Sequence, residues 1–480
     1  MMLHTLIANV SVVRLDGTDQ RPVSTVTRDS RDVRPNDVFV AIRGANVDGH
    51  DLVGSLTAAA AVVVERDVVA PPGVTVVVVP DTRKAFALLA AAQYGYPSRN
   101  VKVIGVTGTN GKTTTTTLVD EALRHLAIGS GRIGTTGVVL DGTPVPSSLT
   151  TPEAPALQRT LARARDLGLL SISMEVSSIG LDQHRVDGID FHTAVFTNLS
   201  RDHLDYHGTM EKYAACKARL FTDLLREPGG WPRALAFEGD AGRSAMQLPR
   251  DCWTYGTKTA DVRLTHSQTT GEGTALSVET PLGPVSWTSQ MVGHHNAQNM
   301  VAALGCLLTL DVPIERAGWA LSQVGGVAGR FETVSNPHGA LLLVDYAHSP
   351  DALASALHAA RHLCTGRLFV VFGCGGDRDR GKRPQMGTVA DELADVVVVT
   401  SDNPRSESPL QIVDDILVGV AKPAHADVDR AAAIAWTVAQ STPGDVVLVA
   451  GKGHETTQEI AGQFHDFDDR VALRRALEMR

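Results

Sequence analysis

The chain has 480 residues, of which 43% are hydrophobic and 20% charged, and its formal net charge at pH 7 is −9. The length predicts roughly three domains of about 150 residues each, and the composition is ordinary for a globular protein with sizeable hydrophobic cores. The acidic balance argues against nucleic-acid binding, while the lack of a long apolar run, a signal-peptide pattern or paired cysteines predicts a cytoplasmic protein that is not embedded in a membrane.

The first segment, residues 1–98, carries short strand-like runs and one helical pattern. We predict strands at Asp37–Ile42 and Val74–Val79 and a helix near Arg83–Tyr94. Turn-forming residues at 97–100 then precede a strongly apolar run, so we place the first domain boundary at 98/99.

Residues 101–113 are the most informative stretch, because a β-branched strand runs there into a glycine-rich loop and then a helix. Gly108 and Gly111 allow backbone N–H groups to turn inward, and Lys112 adds a positive charge. The Thr113 hydroxyl can serve as a ligand for Mg²⁺, and the helix that follows would direct its positive dipole end at phosphates. A glycine-rich turn without a ligand is the alternative interpretation, but the strand–loop–helix order favours ATP binding.

The match to a phosphate-binding loop is to the short string G-T-N-G-K-T, since the full pattern requires glycine at position 106, where the chain has Val106. Threonines occupy 113–117, although threonine is a poor helix former. We therefore predict that these hydroxyls contact the ligand.

The central segment, residues 99–326, alternates strands with helices and ends at the glycine-rich residues 325–329. The predicted elements are strands at Ser171–Val176, Thr193–Thr197 and Ala234–Phe237, a β-rich section at Asp261–Val292, and a helix at Asn296–Leu308.

The last segment, residues 327–480, repeats the α/β alternation. The predicted strands are Leu341–Asp345, Leu368–Gly373, Val396–Thr400 and Val446–Ala450. Each is followed by polar or glycine-rich residues, and ligands of open parallel sheets bind at such carboxyl ends. We predict a second binding site there, and an α/β fold for all three domains.

Glu175 ends one of the central strands, and His203 lies in a loop dense in aspartate and histidine. A carboxylate near a phosphate loop is a natural Mg²⁺ ligand, although a lone glutamate or histidine is more often structural. Lys217, taken alone, is interpreted as a solvated lysine on an amphipathic helix.

Collinear motifs along nearly the whole chain resemble those of the Mur ligase family of peptidoglycan assembly, in the branch that adds the third residue of the stem peptide. The motifs include D-S-R at 29–31, G-T-N-G-K-T-T at 108–114, L-T-T-P-E-A at 149–154, M-E-V-S-S at 174–178, D-H-L-D-Y-H-G at 202–208, G-R-F-E at 329–332, D-Y-A-H-S-P at 345–350, D-N-P-R at 402–405 and G-K-G-H-E at 451–455.

This resemblance implies three domains: an amino-terminal uridine-nucleotide-binding domain, a central P-loop-type ATPase domain and a Rossmann-like carboxyl-terminal domain that binds the incoming amino acid. It implies catalytic roles for Lys112, His203 and Lys217, with Lys217 carbamylated by CO₂. The Mg²⁺ ligands implied are Thr113, Glu175, His203 and the Lys217 carbamate.

The resemblance also assigns ligand-binding residues. For ATP these are Gly108, Thr109, Asn110, Gly111, Lys112, Thr113, Thr114, Asn296, Arg330, Asp345 and His348. For the UDP-N-acetylmuramoyl dipeptide they are Ser30, Thr150, Thr151, Ser177, Gln183 and Arg185. For meso-diaminopimelate they are Arg378, Asp402, Asn403, Pro404, Arg405, Gly451 and Glu455, in which Arg405 supplies a fork for the distal carboxylate and Glu455 a counter-charge for the distal ammonium.

The implied activity is ATP-dependent addition of meso-diaminopimelate to the nucleotide-linked dipeptide through an acyl phosphate, by an enzyme expected to be a monomer. Alternatives are the same chemistry with lysine or another diamino acid, another amide ligase of this fold, and a catalytically weak paralogue that binds a nucleotide sugar. Three positions depart from the family pattern, namely Ile179, Cys216 and Ala328. Ile179 leaves room for a specialised or secondary copy of the enzyme.

Overall fold

The computed structural model of the protein describes residues 1–44, 46–147, 149–225 and 233–479. Its strands form sheets of five, eleven, six and two strands. The predicted boundaries at 98/99 and 326/327 both fall between sheets; as exact boundaries they remain predictions. In these described ranges, no helix is both long and apolar enough to cross a bilayer.

The first sheet has the order β1-β5-β4-β3-β2, and its inner strand β4 is buried along its whole length. Asp81 starts helix α2 by accepting a hydrogen bond from the Lys84 backbone N–H at 2.9 Å. The elements are α1 (Leu3–Leu6), β1 (Arg14–Asp16), β2 (Val26–Thr27), β3 (Val38–Val40), β4 (Ala61–Val64), β5 (Thr75–Val78) and α2 (Thr82–Gln93), with 3₁₀ turns at Ser30–Asp32, Gly49–Ser55 and Pro97–Arg99.

The central sheet contains eleven strands in the order β16-β15-β14-β13-β12-β11-β6-β10-β7-β8-β9. The elements are β6 (Lys102–Thr107), α3 (Lys112–His125), β7 (Ser130–Gly134), β8 (Gly137–Leu140), β9 (Thr143–Val145), α4 (Ala154–Asp166), β10 (Ser171–Glu175), α5 (Ser178–Asp182), β11 (Phe191–Phe196), α6 (Leu204–His207), α7 (Met210–Thr222), β12 (Ala234–Phe237), a 3₁₀ turn (Ala241–Met246), β13 (Cys252–Gly256), β14 (Val262–Thr270), β15 (Gly273–Thr280), β16 (Gly283–Ser289), α8 (His294–Thr309) and α9 (Ile314–Gln323).

Strand β6 lies between β10 and β11 and runs parallel to both. The loops that follow these three strands therefore meet at one edge of the sheet, and helices α3 and α8 bury their apolar faces in one core with β6 and β11. This arrangement places the predicted phosphate loop, Glu175 and the loop that carries His203 along the same edge.

The third sheet has the order β17-β18-β22-β19-β20-β21, in which all neighbours are parallel except β17 and β18. The elements are β17 (Glu332–Val334), β18 (Leu341–Asp345), α10 (Pro350–Leu363), β19 (Leu368–Phe372), α11 (Lys382–Leu393), β20 (Val396–Thr400), α12 (Pro409–Leu417), β21 (His425–Asp427), α13 (Arg430–Gln440), β22 (Val446–Ala450), the hairpin β23 (Thr457–Ile460) and β24 (Gln463–Asp466), and α14 (Asp469–Glu478). The four predicted strands are confirmed, and the α/β prediction holds for each domain.

Candidate active site

The phosphate loop joins β6 to α3 and is shaped by two glycines with positive φ, +148° at Gly108 and +86° at Gly111. A Cβ on Gly108 would collide with the Thr197 hydroxyl, and one on Gly111 would lie 2.6 Å from Asn299 Oδ1. Both positions therefore require glycine for space as well as for backbone conformation.

Two lysines converge on this loop. The Nζ atoms of Lys112 and Lys217 each donate to the Gly108 carbonyl at 2.8 Å, and Lys112 also donates to the Thr109 carbonyl at 2.7 Å. Burial lowers the pKa of the Lys112 amine, and it lowers the pKa of the Lys217 amine well below its ordinary value, with the nearby Lys112 charge acting in the same direction.

The interpretation of Lys217, taken alone, as a solvated lysine is wrong. Its side chain is 1% exposed, and Nζ lies 4.4 Å from the centre of the Tyr213 ring. The helical pattern carried a signal for this, because Tyr213, Lys217 and Phe221 repeat at a spacing of four along the buried face of α7. A buried amine with a depressed pKa is neutral more readily and is therefore more nucleophilic.

The five threonines of α3 differ in their environments. Thr113 and Thr114 lie at the start of the helix beside the loop, and the Thr113 hydroxyl accepts a hydrogen bond from Arg330 Nη2 at 2.8 Å. Thr116 donates to the carbonyls of Lys112 and Thr113, and the buried hydroxyls of Thr115 and Thr117 have no partner among the described residues. The prediction that all five hydroxyls contact the ligand is therefore wrong for Thr116, whose hydroxyl is used within its own helix.

Residues that sequence reasoning missed hold the loop in place. The Thr197 hydroxyl donates to the Asn110 carbonyl at 2.6 Å, and Asn198 Oδ1 accepts from the Asn110 N–H at 2.9 Å. The Thr109 and Tyr213 hydroxyls are 3.2 Å apart. The loop is thus preorganised by β11 and α7, which are distant in sequence.

Glu175 is buried at the end of β10 and accepts hydrogen bonds from Thr135, at 2.8 Å from the backbone N–H and at 3.1 Å from the hydroxyl. His203 begins α6 in a left-handed conformation with φ +53°, and its Nε2 lies 3.5 Å from Asp202 Oδ2. Desolvation lowers the pKa of His203, and the adjacent Asp202 charge opposes this shift. The net direction favours the neutral imidazole, which is the form that binds a metal ion.

These groups fit a magnesium ion by donor chemistry, because a threonine hydroxyl and a carboxylate are hard oxygen ligands and Mg²⁺ keeps several waters and phosphate oxygens. Within the described ranges, no three His, Cys, Asp or Glu side chains are grouped closely enough to hold a metal ion unaided. A carbamate on Lys217 would add a further oxygen donor to this set.

The residues predicted to bind the nucleotide-linked dipeptide form one network beside Glu175. The Thr151 hydroxyl donates to the Glu175 carbonyl at 2.9 Å and lies 3.1 Å from the Ser177 hydroxyl, while Thr150 lies 3.1 Å from Thr135 Oγ1. Arg185 completes the network by donating to the Thr151 carbonyl at 2.9 Å and to Gln183 Oε1 at 2.7 Å.

Ser30 approaches the same network from the first domain. It opens the 3₁₀ turn capped by Asp29, and Arg28, two residues earlier, lies 3.4 Å from Glu153 Oε1. Glu153 also pairs with Arg185 at 3.1 Å. Glu153 thus links the first domain to the cluster predicted to bind the dipeptide, a role that was not predicted from the sequence.

The carboxyl-terminal domain reaches the phosphate loop through Arg330. Besides contacting Thr113, the Arg330 guanidinium lies 4.7 Å from the centre of the Tyr346 ring. Asp345 fixes the backbone here by accepting from Phe331 N at 2.7 Å and Ala347 N at 2.8 Å, and burial raises the pKa of its carboxyl. His348 Nδ1 lies 2.8 Å from the Tyr346 carbonyl oxygen.

Asn296 is buried at the start of α8, where its amide donates to the Val292 carbonyl at 2.9 Å and its Oδ1 accepts from Asn299 at 3.4 Å. These bonds hold the amide at the start of the helix, and its predicted contact with ATP remains a prediction.

The predicted amino-acid-binding residues meet at the carboxyl ends of β19, β20 and β22. Arg405 Nη1 donates to the Gly376 carbonyl at 2.7 Å, and its Nε lies 3.3 Å from Glu459 Oε2. A Cβ on Gly376 would collide with the Pro404 carbonyl, so the loop that carries Arg378 packs directly on the D-N-P-R segment. The Arg378 side chain itself is exposed on this loop.

Asn403 donates to Glu455 Oε2 at 2.7 Å, and Gly451 faces Asp402, with a Cβ there 3.6 Å from Asp402 Oδ2. The fully buried Lys452 joins this cluster at 3.0 Å from Asn403 Oδ1 and 3.1 Å from Glu455 Oε2. Sequence reasoning missed Lys452 and Glu459, because both lie in segments that resemble exposed polar loops.

Three family models match the chain in order: the Mur ligase family, catalytic domain at residues 22–94, the Mur ligase middle domain at 106–307, and the Mur ligase, glutamate ligase domain at 329–453. Among curated proteins, a UDP-N-acetylmuramoyl-L-alanyl-D-glutamate–2,6-diaminopimelate ligase of Chromobacterium violaceum is 44% identical over 94% of both chains. The ligase of the same name from Geobacillus thermodenitrificans is 41% identical over the full length of both chains.

A solved structure of a UDP-N-acetylmuramoyl-L-alanyl-D-glutamate–2,6-diaminopimelate ligase matches with a TM-score of 0.72 and 33% identity, covering 100% of this chain and 99% of the other. A MurF structure from Acinetobacter baumannii matches with a TM-score of 0.65 at 19% identity, covering 99% of this chain and 98% of that one, which is a likeness of fold.

Proposed function

Because the chain belongs to the Mur ligase family, we propose that it is an ATP-dependent ligase that joins meso-2,6-diaminopimelate to UDP-N-acetylmuramoyl-L-alanyl-D-glutamate. Its nucleotide substrates support a cytoplasmic location for the reaction. The observation that carries the proposal is the convergence of the partly buried Lys112 and the buried Lys217 on the Gly108 carbonyl, near Glu175 and the predicted dipeptide-binding cluster.

In the first half-reaction, a carboxylate oxygen of the dipeptide attacks the γ-phosphorus of ATP, ADP leaves, and an acyl phosphate forms. Lys112 neutralises charge on the transferring group from the phosphate loop, and Arg330 approaches from the opposite domain. Mg²⁺ would be held by Thr113, Glu175, His203 and the modified Lys217, and when bound it supplies further charge neutralisation.

Lys217 acquires its role by a covalent change. The neutral amine attacks the carbon of CO₂, a nitrogen–carbon bond forms, and the nitrogen loses a proton to give a carbamate. Burial and the adjacent Lys112 charge favour the unprotonated amine that this step requires. The product is a carboxylate-like group where an ammonium would repel a metal ion.

In the second half-reaction, the amine of the incoming amino acid attacks the acyl carbon, a tetrahedral intermediate forms and inorganic phosphate leaves. The cluster of Asp402, Asn403, Arg405 and Glu455 holds the distal end of this amino acid. Arg330 reaches Thr113, at the end of the phosphate loop, from the carboxyl-terminal domain. Closure of that domain over the site would limit the access of water to the acyl phosphate.

The test is ADP release from ATP with UDP-N-acetylmuramoyl-L-alanyl-D-glutamate and, in separate reactions, meso-diaminopimelate, LL-diaminopimelate, lysine and ornithine. We expect turnover with meso-diaminopimelate to exceed that with the other three, and Lys112→Ala to serve as the inactive control. Preference for lysine would overturn the assignment of the amino acid but leave the ligase assignment standing. No ADP release with any of the four would overturn both.

A further inference from the structure

Lys452 is the only member of the G-K-G-H-E string at 451–455 that combines a charged side chain with complete burial. A buried ammonium loses several kcal/mol of hydration energy unless polar partners compensate for it. Its partners here are Asn403 Oδ1 at 3.0 Å and Glu455 Oε2 at 3.1 Å, with Asp402 Oδ1 further away at 3.8 Å. All three belong to the cluster assigned to the incoming amino acid.

The hydrogen bonds of this cluster use one side of Glu455. Both Asn403 Nδ2 and Lys452 Nζ bind its Oε2, and no described residue donates to its Oε1. Asp402 Oδ1 is similarly unused: the residue is 7% exposed, and this buried oxygen has no hydrogen-bond partner among the described residues. Two carboxylate oxygens therefore retain their full capacity to accept hydrogen bonds.

The net charge of this cluster also favours a bound ammonium group. Lys452 carries one positive charge against two carboxylates, so the cluster of Lys452, Asp402 and Glu455 has an excess of one negative charge. The buried Arg430 donates to the Ser401 and Ala450 carbonyls beside this cluster, but its own charge is paired one to one with Asp469 at 2.7 Å. A single ammonium group of a ligand would balance the excess negative charge.

We propose that Lys452 is a positioning residue for substrate specificity: it turns Glu455 and Asn403 so that Glu455 Oε1 and Asp402 Oδ1 face the distal ammonium of the amino-acid substrate. The inference rests on the proposed function. It adds the set of contacts that distinguishes an amino acid with a distal ammonium from one without. Lys452 acts through its neighbours, because its own Nζ is fully enclosed.

The test compares three amino acids with the full-length enzyme and with Lys452→Met, which keeps the side-chain length and removes the charge. Meso-diaminopimelate has a distal ammonium and a distal carboxylate, 2-aminopimelate has only the carboxylate, and lysine has only the ammonium. We expect Lys452→Met to lower the ratio of kcat/KM for meso-diaminopimelate over 2-aminopimelate at least tenfold. The KM for ATP should change less than twofold.

The ratio of meso-diaminopimelate over lysine is the internal control. It depends on recognition of the distal carboxylate by Arg405, so it should change less than threefold in Lys452→Met. If Lys452 only supported the fold, all three amino acids would lose kcat/KM by a similar factor, and such a uniform loss would overturn the inference. If Lys452→Met does not fold, Lys452→Gln keeps a donor for Asn403 and should show the same selective change. Failure of the unmodified enzyme to use meso-diaminopimelate would instead overturn the proposed function.

Discussion

Lys217 illustrates how a single residue gains reactivity from its surroundings. Among the described residues its ammonium hydrogen-bonds only to the Gly108 carbonyl, and no carboxylate forms an ion pair with it. An ammonium without a counter-ion in a buried position is unfavourable, so the neutral amine is favoured at a pH where an exposed lysine is fully charged. The buried nitrogen also lies beside the phosphate loop, where its carbamate would place a negatively charged ligand for Mg²⁺.

Lys217→Ala should reduce kcat by at least about a thousandfold, because it removes the carbamate that is proposed to orient Mg²⁺ near the γ-phosphate. A short carboxylic acid added to the medium should restore part of the activity, since the missing group is a carboxylate rather than a cation. Lys212→Ala, at an exposed position of the same helix, is the matched control and should retain full activity. Restoration by a short amine instead of an acid would contradict the assignment.

Burial of Lys217 also predicts a pH dependence of stability. The unfolded amine has a pKa of about 10.4, and the folded pKa lies below it, so between the two values the unfolded chain binds a proton that the native lysine lacks. The free energy of unfolding therefore rises with pH across this window, by about 1.4 kcal/mol for each pK unit of depression.

Lys217→Met removes that dependence. In CO₂-free buffer it should be more stable than the parent at pH 7, and the difference should shrink as the pH approaches about 10.4. Denaturant unfolding at pH 7, 8 and 9 measures it, with Lys212→Met as the control. A difference that stays constant over this range would show that the folded amine remains charged.

Arg405 should determine which amino acid is accepted, because its guanidinium, held by Gly376 and Glu459, lies in the proposed binding site for the distal carboxylate. Loss of a charge-assisted pair of this type costs about 3 kcal/mol, or roughly 100-fold in affinity. Arg405→Ala should raise KM for meso-diaminopimelate by about that factor and leave KM for ATP nearly unchanged. Arg474→Ala, at an exposed position of α14, is the control; equal kinetics of Arg405→Ala and the parent would refute the assignment.

At the scale of elements, helix α3 combines a ligand-binding start with a buried body. Thr117 lies in the core with its hydroxyl unpaired, so Thr117→Val should raise the free energy of unfolding by about 1 kcal/mol. The matched control is Thr437→Val in α13, where the buried hydroxyl donates to the Ala433 carbonyl at 2.8 Å and its loss should destabilise the protein. Thermal unfolding of the two variants measures both effects, and equal shifts would contradict the role assigned to the unpaired hydroxyl.

The elements themselves were largely predictable from sequence. Strands such as Leu368–Phe372 and Val446–Ala450 are buried on both faces, so their continuous apolar runs identify them. Gly108 and Gly111 were identifiable because only glycine fits their backbone and space. The antiparallel hairpin β23–β24 was missed, since alternation in its polar sequence is weak.

The contacts between elements were less predictable. Thr197 and Asn198 hold the phosphate loop only because β11 lies beside β6, an adjacency that no local pattern encodes. Lys452 has polar neighbours in sequence and is buried by segments at 402–403 and 455. In both cases a local pattern indicated the strand or loop. The residues that contact it are determined by the tertiary structure, which the local pattern does not encode.

At the scale of the whole molecule, the segment that contains Gly329 packs closely against the segment that contains Gly453, near the contact between the carboxyl-terminal and central domains. Gly329 has φ +63°, and a Cβ on it would collide with the backbone of Gly453 and His454. Gly329→Ala should therefore displace Arg330 from Thr113 and lower kcat at least about 100-fold, while nucleotide binding to the central domain is retained. Gly325→Ala, where a Cβ meets only a side-chain atom at 3.7 Å, is the matched control and should be nearly silent. Equal kcat values for the two variants would exclude this coupling.

The path of the chain through residues 326–330 has a practical consequence for redesign of the protein. Connections between domains usually accept added residues, because they carry few contacts. Here the connection ends in Arg330, which reaches the Thr113 hydroxyl, and is followed by Phe331, whose backbone N–H is held by Asp345. Lengthening it would move Arg330 relative to Thr113 and Phe331 relative to Asp345, so a tag, fusion or split point belongs elsewhere. The exposed turn at Gly271, between β14 and β15, has open space around it and is the better place.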